Sequence, residues 1–274
     1  MSRMFEALRQ VLPELDGPAG ADPSTAGSLL SSVLSAESEQ LQDAPKFLLP
    51  GASGSRLVAL NEPQELAAEK FRVLAAKLKL AQKSRSLKSV LISSAASGDG
   101  KTVVSANLAI TLASQGERTL LIDGDLHRAS LSRLFQVENQ NGIGTWHSEK
   151  GSVTNSMLQA SGLPLWFLPA GYSSEQPISI IQSPAMSAMM KQVSAWFSWI
   201  IVDSPPLLPL GDAAVWSTIT DSTLLVIRHA LTPKRLFLKA IDQFDRAKLL
   251  GIALNDAVTG EQKYYEKYYP HSRG

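Results

Sequence analysis

The sequence predicts an α/β fold in which a mainly parallel sheet carries helices on both faces, and three observations predict it. Residues 95–102 read Ala-Ala-Ser-Gly-Asp-Gly-Lys-Thr and lie directly between the apolar run Val90-Leu91-Ile92 and a segment of helical composition, which is the order strand, glycine-rich loop, helix. Two further apolar runs, Thr-Leu-Leu-Ile-Asp-Gly-Asp at 119–125 and Trp-Ile-Ile-Val-Asp-Ser-Pro-Pro at 199–206, end in acids. Short apolar stretches recur at 88–94, 119–123, 165–169, 198–203, 222–228 and 250–254 with helical or irregular chain between them, the pattern of buried parallel strands joined by crossovers.

From the N-terminus, Phe5, Leu8 and Leu12 fall at helical spacing. They predict a short amphipathic helix within residues 1–15, either a docking element or a frayed end. Residues 16–60 read as a flexible linker, because Asp16 to Ser55 is rich in Ser, Ala, Gly and Pro. The main domain is expected over 61–258. It opens with a helix from Pro63 to Lys83, where Leu, Phe, Val and Ala recur with Lys and Glu between them. Met186, Met189, Met190, Val193 and Trp196 form an apolar stripe at helical spacing and predict a core-facing helix. Residues 259–274 form a tail holding four of the chain's five tyrosines, Tyr264, Tyr265, Tyr268 and Tyr269.

Composition permits this reading and narrows the function classes. With 274 residues and 44 % hydrophobic content the chain can bury a sizeable core. A net charge of +1 gives no whole-chain reason to expect nucleic acid. The absence of cysteine excludes disulfides and thiolate metal sites, which suits a cytoplasmic protein. The first residues lack the apolar core of a signal peptide, and no uncharged run of about 18 apolar residues occurs. Membrane association is therefore expected through a partner or a peripheral helix.

The loop chemistry points to a nucleotide. Gly98 and Gly100 let the backbone curl until its N–H groups face a phosphate, with Ser97 and Asp99 completing the turn. Lys101 can reach terminal phosphates, and the Thr102 hydroxyl can ligate Mg²⁺. Ala95 stands where the common pattern has its first glycine; the expected fold is that of phosphate-loop NTPases of the deviant Walker A type. In a parallel sheet the ligand lies outside the carboxyl ends of the strands. Asp123, Asp125 and Asp203 are therefore expected beside Lys101. Asn255, at the end of the last apolar run, reads either as a hydrogen-bonding partner for an adenine edge or as a turn residue. Asp212 reads as a helix cap or as support for the metal site.

Ser94–Thr102, Leu120–Arg128, Asp203-Ser204-Pro205-Pro206, Gly211-Asp212-Ala213 and the tyrosine-rich tail together resemble the bacterial tyrosine kinases of exopolysaccharide and capsule assembly. The resemblance runs from about residue 60 to the C-terminus. It implies a cytoplasmic kinase that uses ATP and Mg²⁺ to phosphorylate tyrosines in the tails of neighbouring subunits. Lys101 would hold the phosphates, Thr102 the metal, Asp203 the metal through water, and Asp123 or Asp125 the metal and the incoming tyrosine hydroxyl. The implied partners are a transmembrane polysaccharide co-polymerase as activator, a cognate tyrosine phosphatase and further copies in a ring, with no nucleic acid. A Glu-x-x-Arg helix serves subunit contacts in the family. Glu69 and Arg72 match it, and read equally as an ordinary i,i+3 ion pair.

Departures from the family pattern are local. Ser97 replaces a proline, Ala75 a polar residue, and His127 an arginine, with Arg128 one place later. Two other readings use the same sheet: a dimeric positioning or partition ATPase, and an inactive regulatory scaffold. The ATPases commonly carry a second loop lysine at the position of Ala96.

Overall fold

The computed structural model describes residues 41, 43–51, 56–137, 141–208, 211–242 and 245–257. The chain divides into residues 1–42 and 43–274, and every element named below belongs to the second unit. The expected helix within 1–15, the tail over 259–274 and its four tyrosines lie outside the described residues.

Eight strands form one sheet in the order β1-β4-β5-β3-β6-β2-β7-β8. They are β1 (Lys46–Phe47), β2 (Ser89–Ser94), β3 (Thr119–Asp123), β4 (Leu158–Ala160), β5 (Leu165–Leu168), β6 (Trp199–Asp203), β7 (Ser222–Arg228) and β8 (Leu249–Asn255). All pairings are parallel except β4 with β5. The described helices are α1 (Val58–Asn61), α2 (Leu66–Ser84), α3 (Lys101–Ser114), α4 (Ser130–Phe135), α5 (Ile143–Glu149), α6 (Pro177–Ile181), α7 (Pro184–Trp196), α8 (Asp212–Ile219) and α9 (Lys234–Ile241).

The inner strands are continuous apolar runs because both faces of the sheet are covered there, whereas the edge strand β8 leaves Ile252 and Leu254 about half exposed. Val90 and Ile92 of β2, Leu121 of β3 and Ile201 of β6 pack in one buried cluster with Leu78 of α2 and Val104, Leu108 and Ile110 of α3. The alternate positions Leu91, Leu120, Ile122, Ile200 and Val202 are fully buried as well. Met186, Met189, Met190, Val193 and Trp196 of α7 are all buried, as the stripe predicted. Trp166 of β5 meets Phe197 edge-on, with ring centroids 5.4 Å apart. Ser183 caps α7, its hydroxyl accepting from the Met186 N–H at 3.1 Å.

The stretch read as a linker contains described structure at its C-terminal end. Residues 46–47 pair with β4, and Phe47 packs against Phe135 and Phe167 at 5.7 and 6.2 Å between centroids. Leu57 is fully buried. The Ala59 N–H donates to Asn107 Oδ1 of α3 at 2.9 Å, and Asn107 Nδ2 donates to the Arg56 carbonyl at 2.8 Å. These contacts come from three or four well-placed side chains in a polar stretch, which composition averages hide. Glu69 and Arg72 form an ion pair at 2.6 Å, and Arg72 also donates to the Pro63 carbonyl at 2.7 Å.

Candidate phosphate-binding site

The strand order sets the position of the site. β2 leads to α3 and then to β3, which lies on the far side of β6, while β7 lies on the opposite side of β2. The connections diverge from the middle of the sheet, and the crevice at that divergence lies beyond the strands' carboxyl ends. The register pairs Asp123 of β3 directly with Asp203 of β6. Two buried carboxylates therefore stand side by side at the carboxyl ends of β3 and β6, with β6 the neighbour of the phosphate-loop strand β2.

The loop from Ala95 to Gly100 is held by its own aspartate. Asp99 Oδ2 accepts the Ala96 N–H at 3.0 Å, and Asp99 Oδ1 accepts the Thr232 hydroxyl at 2.6 Å. The Asp99 carbonyl accepts Asn255 Nδ2 at 3.0 Å. Gly98 and Gly100 both have φ of +92°, in the left-handed region that glycine occupies without penalty. A Cβ on Gly100 would also lie 2.0 Å from Asn255 Nδ2. Helix α3 starts at Lys101 with no side-chain cap, so its first N–H groups and its dipole face the crevice.

Lys101 lies nearly buried with Nζ 3.9 Å from Asp125 Oδ2. Asp203 Oδ1 accepts the Ser105 hydroxyl at 3.1 Å, one helical turn after Lys101. Asp123 Oδ2 accepts the backbone N–H groups of Leu131 and Ser132 at 3.1 and 3.2 Å and the Ser132 hydroxyl at 3.3 Å. It thereby satisfies the first turn of α4 from a neighbouring strand. The remaining oxygens, Asp123 Oδ1, Asp125 Oδ2 and Asp203 Oδ2, are buried without a hydrogen-bond partner. Orphaned carboxylate oxygens are costly unless a cation or donor meets them. Among the described residues no group of three or more acids or histidines could hold a metal ion by itself, whereas one or two of these oxygens with the Thr102 hydroxyl fit Mg²⁺, a hard cation that uses few protein carboxylates when phosphates supply the rest.

Burial pushes the Asp123 carboxyl from its ordinary 3.8 up to about 7, with the Asp203 charge adding to the rise and the Ser132 hydrogen bonds opposing it. Burial likewise raises Asp203 to about 6, against the pull of the Lys101 charge and of hydrogen bonds from Thr102 and Ser105.

The structure thus brings together Lys101, Thr102, Asp123, Asp125 and Asp203, with Ser97, Gly98, Asp99 and Gly100 in the adjoining loop. Asn255 reaches the same loop, with its amide nitrogen donating to the Asp99 carbonyl. Asp212 does not cap α8, whose N-cap is Gly211 without a side-chain bond. Its carboxylate meets His127 Nε2 at 2.8 Å. The sequence reading missed Ser105, Ser132, Thr232 and Trp216, which donates its indole N–H to the Gly124 carbonyl at 3.1 Å. Of these, Ser105 alone had a local signal, its four-residue spacing from Lys101.

A family model described as "ParA: NUBPL iron-transfer P-loop NTPase" matches residues 86–237. Tyrosine-protein kinase YwqD of Bacillus subtilis is 31 % identical over 221 residues, which cover 78 % of this chain and 93 % of YwqD. The chain belongs to the bacterial tyrosine-kinase family, built on the P-loop NTPase fold. Another relative is the succinoglycan biosynthesis transport protein ExoP of Rhizobium meliloti, 30 % identical over 235 residues, which cover 78 % of this chain and 30 % of ExoP. Among solved structures, the kinase domain of the Escherichia coli tyrosine kinase ETK superimposes with a TM-score of 0.68 at 26 % identity, over 74 % of this chain and 82 % of that domain. The relatives' names tie the bacterial tyrosine-kinase family to exopolysaccharide synthesis. This member has no cysteine, and so no thiolate for iron. Among the described residues no helix is long and apolar enough to cross a membrane.

Proposed function

We propose that this chain is an ATP-dependent protein-tyrosine kinase that phosphorylates Tyr264, Tyr265, Tyr268 and Tyr269 between subunits and so regulates exopolysaccharide or capsule polymerisation and export. The observation that carries the reading is the set of buried carboxylate oxygens on Asp123, Asp125 and Asp203 that accept no hydrogen bond, one of them ion-paired with the lysine of the phosphate loop. We place the protein in the cytoplasm, with a transmembrane polysaccharide co-polymerase as activator, a tyrosine phosphatase as its opponent and a ring of copies as its working form.

Phosphoryl transfer demands positioning and charge neutralisation more than covalent chemistry. Lys101 and the N-terminus of α3 bind the phosphate oxygens, and the loop glycines admit them to the backbone N–H groups. Thr102, Asp123 and Asp203 would hold Mg²⁺, which together with ATP supplies the transferable phosphoryl group and neutralises its charge. The proton of the incoming tyrosine hydroxyl passes to Asp123 or Asp125. Ser105 holds one oxygen of Asp203, and the other, which accepts no hydrogen bond, would be available to the cation.

The tail supplies the regulatory logic. From Glu261 to Gly274 its formal charges nearly cancel, whereas four phosphotyrosines would bring it to roughly −6 to −8. Repulsion from an acidic site expels a modified tail and loosens the ring. Radiolabelled ATP with Mg²⁺ tests the scheme. Label is expected on tyrosine in the wild type, lost in Lys101→Met and in the variant with all four tail tyrosines changed to Phe. Labelling of Lys101→Met at the wild-type rate would overturn the site assignment, and labelling only on other residues would overturn the tail assignment.

A further inference from the structure

Arg128 is exposed, its backbone is held by hydrogen bonds, and its side chain reaches the phosphate loop. Its N–H donates to both the carbonyl and Oδ1 of Asp125 at 3.2 Å. Its carbonyl accepts the Arg133 guanidinium, and Ala129 turns the chain sharply after it, with φ of +46°. From this base Arg128 Nη1 reaches Ser97 Oγ at 2.9 Å. The side chain thus joins the segment carrying two of the site's aspartates to the phosphate loop, 31 positions earlier.

We propose that Arg128 is a second cation of the phosphate site, supplied within the same chain, and that it contacts the terminal phosphate of the bound nucleotide. The inference rests on the nucleotide reading above and adds a residue to it. Electrostatics supports it first. Three buried aspartates are faced by the ammonium of Lys101, which lies 3.9 Å from one of them, and a triphosphate adds further negative charge to the same crevice. Position supports it next. Ala96 beside the contact carries no charge, so any cation at this part of the loop must come from elsewhere in the fold. Chemistry completes the case. A guanidinium donates two parallel hydrogen bonds to phosphate oxygens in a charge-assisted pair, whereas Ser97 offers one neutral hydroxyl at an exposed position. The serine contact parks the arm next to its target and yields to a phosphate.

A contact with the terminal phosphate distinguishes ATP from ADP, and the test uses that difference. Affinities for both nucleotides are measured by fluorescence titration on the full chain and on Arg128→Gln and Arg128→Lys, with thermal unfolding of each. Arg128→Gln is expected to weaken ATP about tenfold and ADP less than about twofold, and Arg128→Lys to recover part of the loss. Equal effects on both nucleotides, or no effect on either, would overturn the proposal. So would a fall in melting temperature in Arg128→Gln large enough to account for the weaker binding. Failure of the wild type to bind ATP would overturn the nucleotide reading itself, a result separate from a wild type that binds and an Arg128→Gln that binds equally well.

Discussion

Replacing Asp123 by Asn is expected to stabilise the nucleotide-free protein while abolishing its labelling activity. Asp123 is fully buried and its carboxyl is raised from 3.8 to about 7. A raised acid favours the folded state when protonated, so its stabilising contribution is complete below about pH 4 and is lost as the pH climbs through 7. A rise of that size is equivalent to about 4 kcal/mol as an upper bound. Asparagine carries no charge to bury, and its carbonyl oxygen can still accept from the N–H groups of Leu131 and Ser132 that Asp123 Oδ2 now serves. The stability gap between variant and wild type should therefore be near zero at pH 4 and widen towards pH 8. At about 2–4 °C per kcal/mol for a domain of this size, the melting temperatures should separate by several degrees. Calorimetry or dichroism across that pH range checks it. Adding Mg²⁺ and nucleotide should close the gap, because the ligands stabilise the wild type preferentially. A variant no more stable than wild type at pH 8, or a gap independent of pH, would refute the argument that burial of repelling charge is the cause.

Two further substitutions probe the loop and the segment leading into the domain. Gly100→Ala places a side chain at φ of +92° and 2.0 Å from Asn255 Nδ2, so nucleotide affinity should fall sharply and stability by about 1–2 kcal/mol or more. A titration matching wild type would show that the loop readily takes another conformation. Leu57→Ala empties a fully buried position and should cost about 2–5 kcal/mol by urea unfolding. An unchanged midpoint would show that residues near 57 contribute little to the core.

The parts of the fold legible in the sequence are those whose burial is continuous. All six apolar runs form strands; in five of them burial on both faces makes hydrophobic content a sufficient mark, while β8, at the sheet edge with Ile252 and Leu254 exposed, was marked by its composition alone. β1 and β4 left no such mark. They span two and three residues, and β4 exists through its antiparallel pairing with β5, a partner choice that local composition does not encode. At the site, Lys101, Thr102 and the three aspartates were legible because glycine spacing and strand-terminal acids are local patterns. Thr232 and Asn255 were not legible as supports of Asp99, since their contacts span 133 and 156 positions. The contact of Arg128 with Ser97 was hidden for the same reason, although each residue is conspicuous as a departure from the family pattern.

Those long spans bear on the order in which the molecule becomes competent. The phosphate loop emerges early in synthesis, yet the hydroxyl and amide that steady its aspartate arrive more than a hundred residues later, as does the loop's neighbour in the sheet, β7. Contacts across such separations form late, because long loops must close before the contacts reward them. Tight nucleotide binding thus becomes a signal of completion: a nascent or truncated chain can display the glycine-rich motif while lacking the strands that make it a receptor. Bound nucleotide would then selectively preserve finished molecules against unfolding, and fragments ending before residue 255 would gain no such protection.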